Sequence, residues 1–456
     1  MSPDSEIGEP EIAAFRFGYG LPLPEGAPVD PAAMLLALRA PDRIKDVWPI
    51  ASMAEILPVA DAIRRFKTRA KVDTLAKPLY EAAEAEMQVM VDRARRATLA
   101  RMIDNPDGFR ERLTAFWADH FTTVAKQKVG PALPYAIVED AIRPHLTANF
   151  AEMLTAATLH PAMLTYLDQT QSVGPNSPTG KRNGEGLNEN LARELIELHT
   201  LGVGAGYSQD DVRQMAELLT GLGYNVRGGM FFDRKRAEPG PETVLGQVYE
   251  GDGLEPIRAV LRDLSRRPET AAHLARKLAV HFVSDNPDPG LVDALTAAWT
   301  RSGGHLETVY EALLRHPAAW VPEAAKLRQP IDFMVAALRA LGIPGAQIST
   351  LSGKLMKRQL MRGLREMGQV MKEPRGPDGW PEPADAWITP QGLAGRITWA
   401  MQTPSLLLET LPDPVTMARA ALGNRASARL LWAVARAESL REGVGLVLAS
   451  AEFNRR

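Results

Sequence analysis

The amino-acid sequence predicts an all-α (mainly helical) protein, a large multi-helix globular fold with one small β-hairpin near residues 224–232. Apolar residues recur at helical spacing along most of the 456 residues, and Pro and Gly separate the helical blocks. Residues 224–232 instead combine strand-forming residues with a central glycine pair, the pattern of a hairpin. Because 45% of the residues are hydrophobic, the chain can bury a large core.

The domain organisation is predicted from composition. Residues 1–30 are rich in Pro, Gly and acidic residues, and we expect them to form an N-terminal extension. Helical periodicity then persists to the end of the chain. Residues 31–456 are therefore predicted to form a single large helical domain, with possible halves at 31–250 and 251–456.

The first helices carry clear start signals. Asp30 followed by Pro31 is typical of an N-cap and a first-turn proline. Residues 79–103 are rich in Ala, Glu, Met and Arg, which favours a long helix. The next helix is predicted to begin at Asp107 and to extend through residues 116–127. In the second half of the chain, helices are predicted over residues 255–264, 268–283, 290–301, 306–315 and 330–341.

Two helices joined by a glycine-rich turn form the stretch around which the chain is organised. Over residues 187–200, apolar side chains fill one half of the helix circumference, with Leu195 near the middle of that arc. Gly202 is predicted to end this helix in a left-handed C-cap. Ser208, with Asp211 three residues on, is predicted to start the next helix as an acidic variant of the capping box.

The other half of the first of these helices is polar and supplies the candidate ligand-binding residues. It can bind a polar ligand, or it can form a buried hydrogen-bonded network that fixes helix packing. His199 lies about 140–160° around the helix from Glu194 and Glu197, so this helix alone cannot bind one metal ion through His199 and either glutamate. The candidates on the helix are Asn188, Asn190, Arg193, Glu194, Glu197 and His199.

Further candidates lie elsewhere in the sequence. Asp119, His120, His160 and His281 can converge with the helix as ligands or as acid–base groups. The alternative for each histidine is a hydrogen-bonded place in the core. The sequence contains no HExxH motif, no ExxH pair and no GxSxG elbow. It therefore predicts no metal site, names no cofactor and identifies no catalytic residue.

Three other segments are candidates for a functional role. The poorly periodic loop at 172–185 is long enough to act as a lid, although a disordered surface loop has the same pattern. Residues 354–375 form a basic, Met-bearing amphipathic pattern, typical of a core-packing helix or of one that binds a partner or membrane surface. Trp380 and Trp387 lie in the Pro-rich loop at 374–390 and can stack on a ligand or pack on the core.

Several segments resemble a known bacterial family. The most specific are NENLARELIELHTLGVGAGYSQDDV at 188–212 and FWADHF at 116–121, supported by RFGYGL, RKLAVHFVSDNP and PDGWPEPADAWITPQGLAGRITWA. In these segments the chain is similar to the family catalogued as domain of unknown function 1800. The resemblance spans most of the chain in the family's order.

The resemblance implies a largely helical fold and brings no assigned activity or catalytic residues. It also implies an association with a sulfatase-like family, and many family members are exported. This chain departs from the family at Leu222, where many members have Trp. It also lacks the histidine that many members carry in the segment that is here 233–246.

Two functions remain after this comparison. The first is a binding or accessory protein that acts with a sulfatase-like partner, and the alternative is a hydrolase-type enzyme that uses converging His, Glu and Asp residues, with or without a metal. The net charge of −2 gives no global attraction to nucleic acid. The sequence has no cysteine, no signal-peptide pattern and no transmembrane run. We therefore expect a cytoplasmic protein, with periplasmic location by co-export with a partner as the alternative.

Overall fold

The computed structural model describes residues 8–126, 130–184 and 186–456. This part of the chain is mainly helical and carries two small antiparallel hairpins, so the predicted all-α class is confirmed. The start of the predicted N-terminal extension lies outside the described residues, as do Gln127 and Glu185 at the ends of a predicted helix and a predicted loop.

The helices follow one another with short connections. Up to residue 120 the described chain forms the helical segments Glu9–Ile12, Ala13–Phe17, Pro31–Arg39, Ile44–Val47, Met53–Arg69, Ala76–Asp104 and Gly108–His120. Between residues 130 and 218 it forms Leu133–Ile137, Val138–Ile142, Arg143–His145, Phe150–Leu159, Pro161–Tyr166, Gln169–Gln171, Pro178–Asn183, Asn190–Glu194, Leu195–Thr200 and Gln209–Leu218.

The second half continues in the same way after the hairpins. Up to residue 340 its helical segments are Glu255–Arg266, Pro268–Phe282, Pro289–Ser302, Leu306–Arg315, Pro317–Trp320 and Pro330–Ala340. The remaining segments are Gly345–Thr350, Gly353–Leu355, Met356–Met361, Arg362–Glu366, Ala384–Ala386, Pro390–Gln402, Pro404–Leu407, Pro414–Leu422, Gly423–Arg425, Ala428–Val434, Leu440–Ala449 and Ala451–Asn454. The helices predicted over this half are present, with ends shifted by one or two residues.

The predicted start and stop signals act as expected. The side chain of Asp30 accepts a hydrogen bond from the backbone N–H of Ala33. The side chain of Asp107 accepts one from the backbone N–H of Arg110 and so caps the helix Gly108–His120. Ser208 and Asp211 form the reciprocal capping box. Gly202 has a φ of +93°, and a Cβ there would meet the ring of His273 at 2.8 Å, so both backbone and space require glycine.

Both hairpins are two-stranded. Strands Leu222–Asn225 and Gly229–Phe232 pair antiparallel at the predicted position. A second hairpin, Glu242–Val244 with Gln247–Tyr249, was not predicted from the sequence. Its turn residues, Leu245 and Gly246, both have positive φ, but Leu-Gly lacks the Asn-Gly or Asp-Gly signature by which such turns are recognised.

Two predicted helices end earlier than expected. The helix that starts after Asp107 ends at His120, so the prediction that it extends through residues 116–127 is wrong beyond that point. The helical region predicted over 354–375 ends at Glu366, because Gly368 takes a φ of +97° that a helix cannot continue. The predicted loop at 172–185 contains the short helix Pro178–Asn183.

The helix predicted over 187–200 has a buried apolar half and a partly exposed polar half, as expected. It begins at Asn190 and changes at Leu195 to the wider π-helix, Leu195–Thr200. Leu191, Leu195 and Ile196 are fully buried, whereas Glu194 and Glu197 are partly exposed. The apolar arc therefore faces the core.

Buried apolar side chains form two clusters. The first cluster contains Leu195 and draws on the helices Ala13–Phe17 and Pro31–Arg39 and on helices between residues 109 and 319. The second joins the long pair Met53–Arg69 and Ala76–Asp104 to the helices after residue 330. The prediction of a single helical domain with two possible halves stays a prediction.

Leu195→Ala should lower the free energy of unfolding by about 2–5 kcal/mol, because the truncation leaves a cavity at a fully buried position. Leu75→Ala is the matched control, since Leu75 is 81% exposed and its truncation should change stability by no more than about 0.5 kcal/mol. Urea unfolding followed by circular dichroism measures both. A loss below about 1 kcal/mol for Leu195→Ala would contradict the burial of this arc.

Candidate functional site

A cavity of about 480 Å³ lies between the helices Gly108–His120 and Pro268–Phe282 and an irregular segment at residues 371–382, here named the strap. Phe116, Val280 and Trp380 are among the apolar side chains of its lining. Ionisable side chains also face the cavity, among them Asp119, His120, Lys277, His281, Lys372 and Glu382. Apolar walls with a few polar groups are typical of small-molecule sites.

Asp119 stands at the end of its helix, beneath the strap. Both of its carboxylate oxygens accept a hydrogen bond from the backbone N–H of Trp380 at 3.1 Å. Gly379 permits this approach, because it has a φ of +82° and a Cβ there would lie 2.6 Å from Asp119 Oδ2. Burial raises the pKa of Asp119 to about 7, and Glu382 adds to the rise. Asp119 can therefore gain or lose a proton near neutral pH.

His120 connects the two helices of the cavity. Its Nε2 lies 3.2 Å from the carbonyl oxygen of His199, an acceptor, so this nitrogen carries the proton. Nδ1 then accepts a hydrogen bond from Lys277 Nζ at 3.1 Å. Burial holds the pKa of His120 well below its usual range, and the Lys277 charge lowers it further. His120 is thus a neutral imidazole that orients the ammonium group of Lys277.

His281 and Glu382 form a second polar pair in the lining. His281 Nδ1 lies 2.6 Å from Glu382 Oε1, and Glu382 Oε2 accepts a hydrogen bond from Lys326 Nζ at 2.9 Å. Burial alone would raise the pKa of Glu382, but His281 and Lys326 hold it below its usual range. Burial lowers the pKa of His281. The carboxylate fixes the proton on Nδ1, and the lone pair on the buried Nε2 has no hydrogen-bond partner in the part of the chain that the structure describes.

Lys372 completes the charged lining from the strap. It has a φ of +60°, an uncommon conformation for a residue other than glycine. Burial lowers the pKa of its ammonium group to about 8, while Asp119 and Glu139 oppose the shift. Among the described residues, Lys372 forms neither a hydrogen bond nor an ion pair.

Of the residues predicted from the sequence, Asp119 and His120 line this cavity. Glu194 is half-buried, and burial raises its pKa to about 6, with added contributions from Glu197 and from Asp378 of the strap. It therefore lies within electrostatic reach of the strap without belonging to the lining.

The remaining predicted residues make local contacts. Arg193 forms ion pairs with Glu189 at 3.1 Å and Glu197 at 3.2 Å on the partly exposed side of its helix. The Asn188 side chain accepts a hydrogen bond from the backbone N–H of Asn190 at the helix start. None of these residues lines the cavity. Their ligand-binding role stays a prediction.

Two predicted histidines occupy structural positions. His199 is 1% exposed and lies among aromatic rings, with its ring centroid 5.1 Å from that of Phe121. His160 caps a helix, since its Nδ1 accepts a hydrogen bond from the N–H of Ala162 and its Nε2 lies 3.3 Å from Asp140 Oδ2. Both nitrogens of His160 are thus occupied within the fold.

Sequence reasoning named His281 among the converging histidines, but it did not select Lys277, Lys372 or Glu382 as site residues. One signal was present, because Lys277 and His281 are four residues apart and share a helix face. The strap residues had no such pattern. In the described part of the chain, no three His, Asp or Glu side chains are grouped so that they could hold a metal ion.

Asp119→Asn should change the pH dependence of stability. The pKa of Asp119 in the folded protein, about 7, lies above its ordinary value of 3.8, so its stabilising contribution is complete below pH 3.8 and is lost as the pH rises to about 7. Asparagine does not titrate. The wild type should therefore lose stability relative to the variant across this window, as measured by urea unfolding at several pH values. Parallel profiles would contradict the raised pKa.

Glu194→Gln should leave the melting temperature at neutral pH unchanged or slightly higher. Its raised pKa means that ionised Glu194 opposes folding there, and its carboxylate makes no hydrogen bond to any described residue. A differential scanning calorimetry experiment measures the effect. A loss of about 1–3 kcal/mol would instead assign Glu194 to a buried structural network.

Comparisons with known proteins agree with the segments recognised in the sequence. No curated protein and no solved structure matches the chain. One family model, described as a protein of unknown function (DUF1800), matches residues 17–455, nearly the whole chain. The chain therefore belongs to the DUF1800 family.

Proposed function

We propose that this chain is a binding protein whose cavity holds a small molecule with an acidic group on an apolar body. The observation that carries the proposal is the state of two lysines. Lys277 and Lys372 both line the cavity, and neither forms an ion pair with a carboxylate among the described residues.

Some buried cations of the structure are paired with carboxylates, whereas Arg16, Arg328 and Arg396 donate only to uncharged oxygens of the described residues. Arg112 makes two hydrogen bonds to Asp332, and Lys326 lies 2.6 Å from an oxygen of Asp285. Pairing is expected, since a buried charge without a partner is costly. Lys277 and Lys372 are partly buried and have no carboxylate partner among the described residues, so they favour an anion that enters from outside. Asp119, Glu382 and Asp378 act on the charge of Lys277, but none of these carboxylates lies within ion-pair distance of it.

The lining also supports an apolar body for the ligand. Apolar side chains from both helices and from the strap surround the ammonium groups, among them Met102, Phe116, Ile331, Leu364, Met371 and Trp380. A volume of about 480 Å³ is within the range of small-molecule sites, which is roughly 300–1,000 Å³. Carboxylates and sulfates on a short alkyl or aromatic body match this combination of charge and surface.

We further propose that the chain acts as an accessory protein to a sulfatase-like partner. The support is the association that its family resemblance implies, together with a cavity whose charge suits a sulfate group. The location follows that partner, with the cytoplasm first and the periplasm by co-export as the alternative. The structure has, over the residues described, no helix long and apolar enough to cross a membrane. A net charge of −2 gives no support for nucleic acid as a partner.

A hydrolase-type enzyme is the second candidate, and one observation favours it. The ionised Glu382 orients His281 so that the unprotonated Nε2, a buried atom with no hydrogen-bond partner among the described residues, can act as a general base on a ligand that contacts it. Release of 4-nitrophenol from 4-nitrophenyl sulfate or acetate by the wild type, and its loss in His281→Ala, would favour this candidate over a binding protein.

The cavity should bind hexyl sulfate and hexanoate but not hexanol, as measured by isothermal titration calorimetry. Lys277→Met and Lys372→Met should each weaken binding by about tenfold or more, because a hydrogen bond to a charged group is lost. Lys235→Met is the matched control, since Lys235 is exposed and lies outside the cavity lining. Equal affinity for hexanol, or binding that both cavity variants retain, would contradict the proposal.

A further inference from the structure

The long helical pair Met53–Arg69 and Ala76–Asp104 ends in a short turn that faces solvent. Val72 and Leu75 in this turn are 89% and 81% exposed, and Leu79, one helical turn beyond Leu75, is 51% exposed. Single exposed apolar residues are normal on a protein surface, but a cluster at one tip indicates a contact site. We name residues 64–80 the hairpin tip.

The hairpin tip is also strongly basic. It contains six Lys or Arg residues and one acidic residue, in a chain whose net charge is −2. Arg64, Lys67, Arg69 and Lys71 are exposed, and none forms an ion pair with a carboxylate of the described chain. The acidic residue, Asp73, accepts a hydrogen bond from the N–H of Leu75 within the turn.

We propose that the hairpin tip docks on an anionic lipid surface, with Val72 and Leu75 inserted at the headgroup level and the basic residues placed against lipid phosphates. The arrangement fits because aliphatic side chains gain by leaving water, and a basic rim is attracted to anionic lipids. Each Lys or Arg near such a surface strengthens binding by about fivefold. Aliphatic side chains cannot stack on bases, so the apex favours a membrane over a nucleic acid.

The helix Ala76–Asp104 relates the hairpin tip to the cavity. The helix Ala76–Asp104 begins at the hairpin tip and contributes Thr98 and Met102 to the cavity lining. At a rise of about 1.5 Å per residue, the roughly 23 residues from Leu75 to Thr98 span about 35 Å. Thr98 and Met102 therefore lie at the far end of this helix from Val72 and Leu75.

The test is co-sedimentation of the full chain with vesicles of phosphatidylcholine, alone and mixed with phosphatidylglycerol. We expect binding only to the mixed vesicles, and we expect added salt to weaken it, because screening shortens the reach of surface charges. The double variants Val72→Ser/Leu75→Ser and Arg69→Ser/Lys71→Ser should each weaken binding by about tenfold or more. All four side chains are exposed, so both variants should fold.

Two controls separate this surface from others. Val203→Ser removes an apolar side chain that is 75% exposed outside the hairpin tip and should leave binding unchanged. Lys354→Ser/Lys357→Ser removes exposed charges from the basic helical region after residue 353 and should also have no effect. Binding that only this second pair abolishes would overturn the proposal. So would equal binding to neutral vesicles, no vesicle binding at all, or tight binding of an oligonucleotide that Val72→Ser/Leu75→Ser does not weaken.

Discussion

The ion pair between Arg112 and Asp332 is the contact on which the arrangement of the two apolar clusters depends. Nη1 and Nη2 of Arg112 donate to Asp332 Oδ2 at 3.0 and 2.8 Å, and Arg456 Nε lies 3.4 Å from the same oxygen. Arg112 belongs to the helix packed in the first cluster, and Asp332 to a helix of the second. Leaving one member of such a buried pair alone typically costs about 3–5 kcal/mol, so the folded protein retains this contact between the two clusters.

This fixed position creates the cavity, and the strap closes one side of it. Two carboxylates hold the strap in place, since Asp119 accepts from the backbone of Trp380 and Glu382 bonds to His281 and Lys326. The strap has no regular secondary structure at residues 371–382. The backbone N–H of Trp380 and the carbonyl oxygen of Glu382 are therefore paired with the side chains of Asp119 and Lys326 instead. The polar groups of the lining are therefore mostly committed to structure. The ammonium groups of Lys277 and Lys372 have no carboxylate partner among the described residues, and they carry the binding proposal.

Local elements of this fold could be predicted because their causes are local. Asp30, Asp107 and Ser208 start helices through hydrogen bonds to residues two or three positions away, and helical spacing alone places Leu195 in the core. The π-helical turn after Glu194 could not be predicted, because it has no spacing signature in the sequence.

The cavity could not be predicted for a different reason. Asp119, Lys277 and Glu382 are more than 100 residues apart in sequence, and only the packing of the two clusters brings them together. Sequence reasoning reached Asp119 and His120 through a distinctive motif and reached the strap through Trp380. The sequence could not show that the strap covers Asp119.

A crystal structure of the protein grown with hexyl sulfate tests the central claim most directly. The account predicts the sulfate oxygens within about 3 Å of Nζ of Lys277 and Lys372, the distance of a charged hydrogen bond, with the alkyl chain against Phe116 and Trp380. An empty cavity, or a ligand-free structure in which carboxylates pair with both lysines, would contradict it.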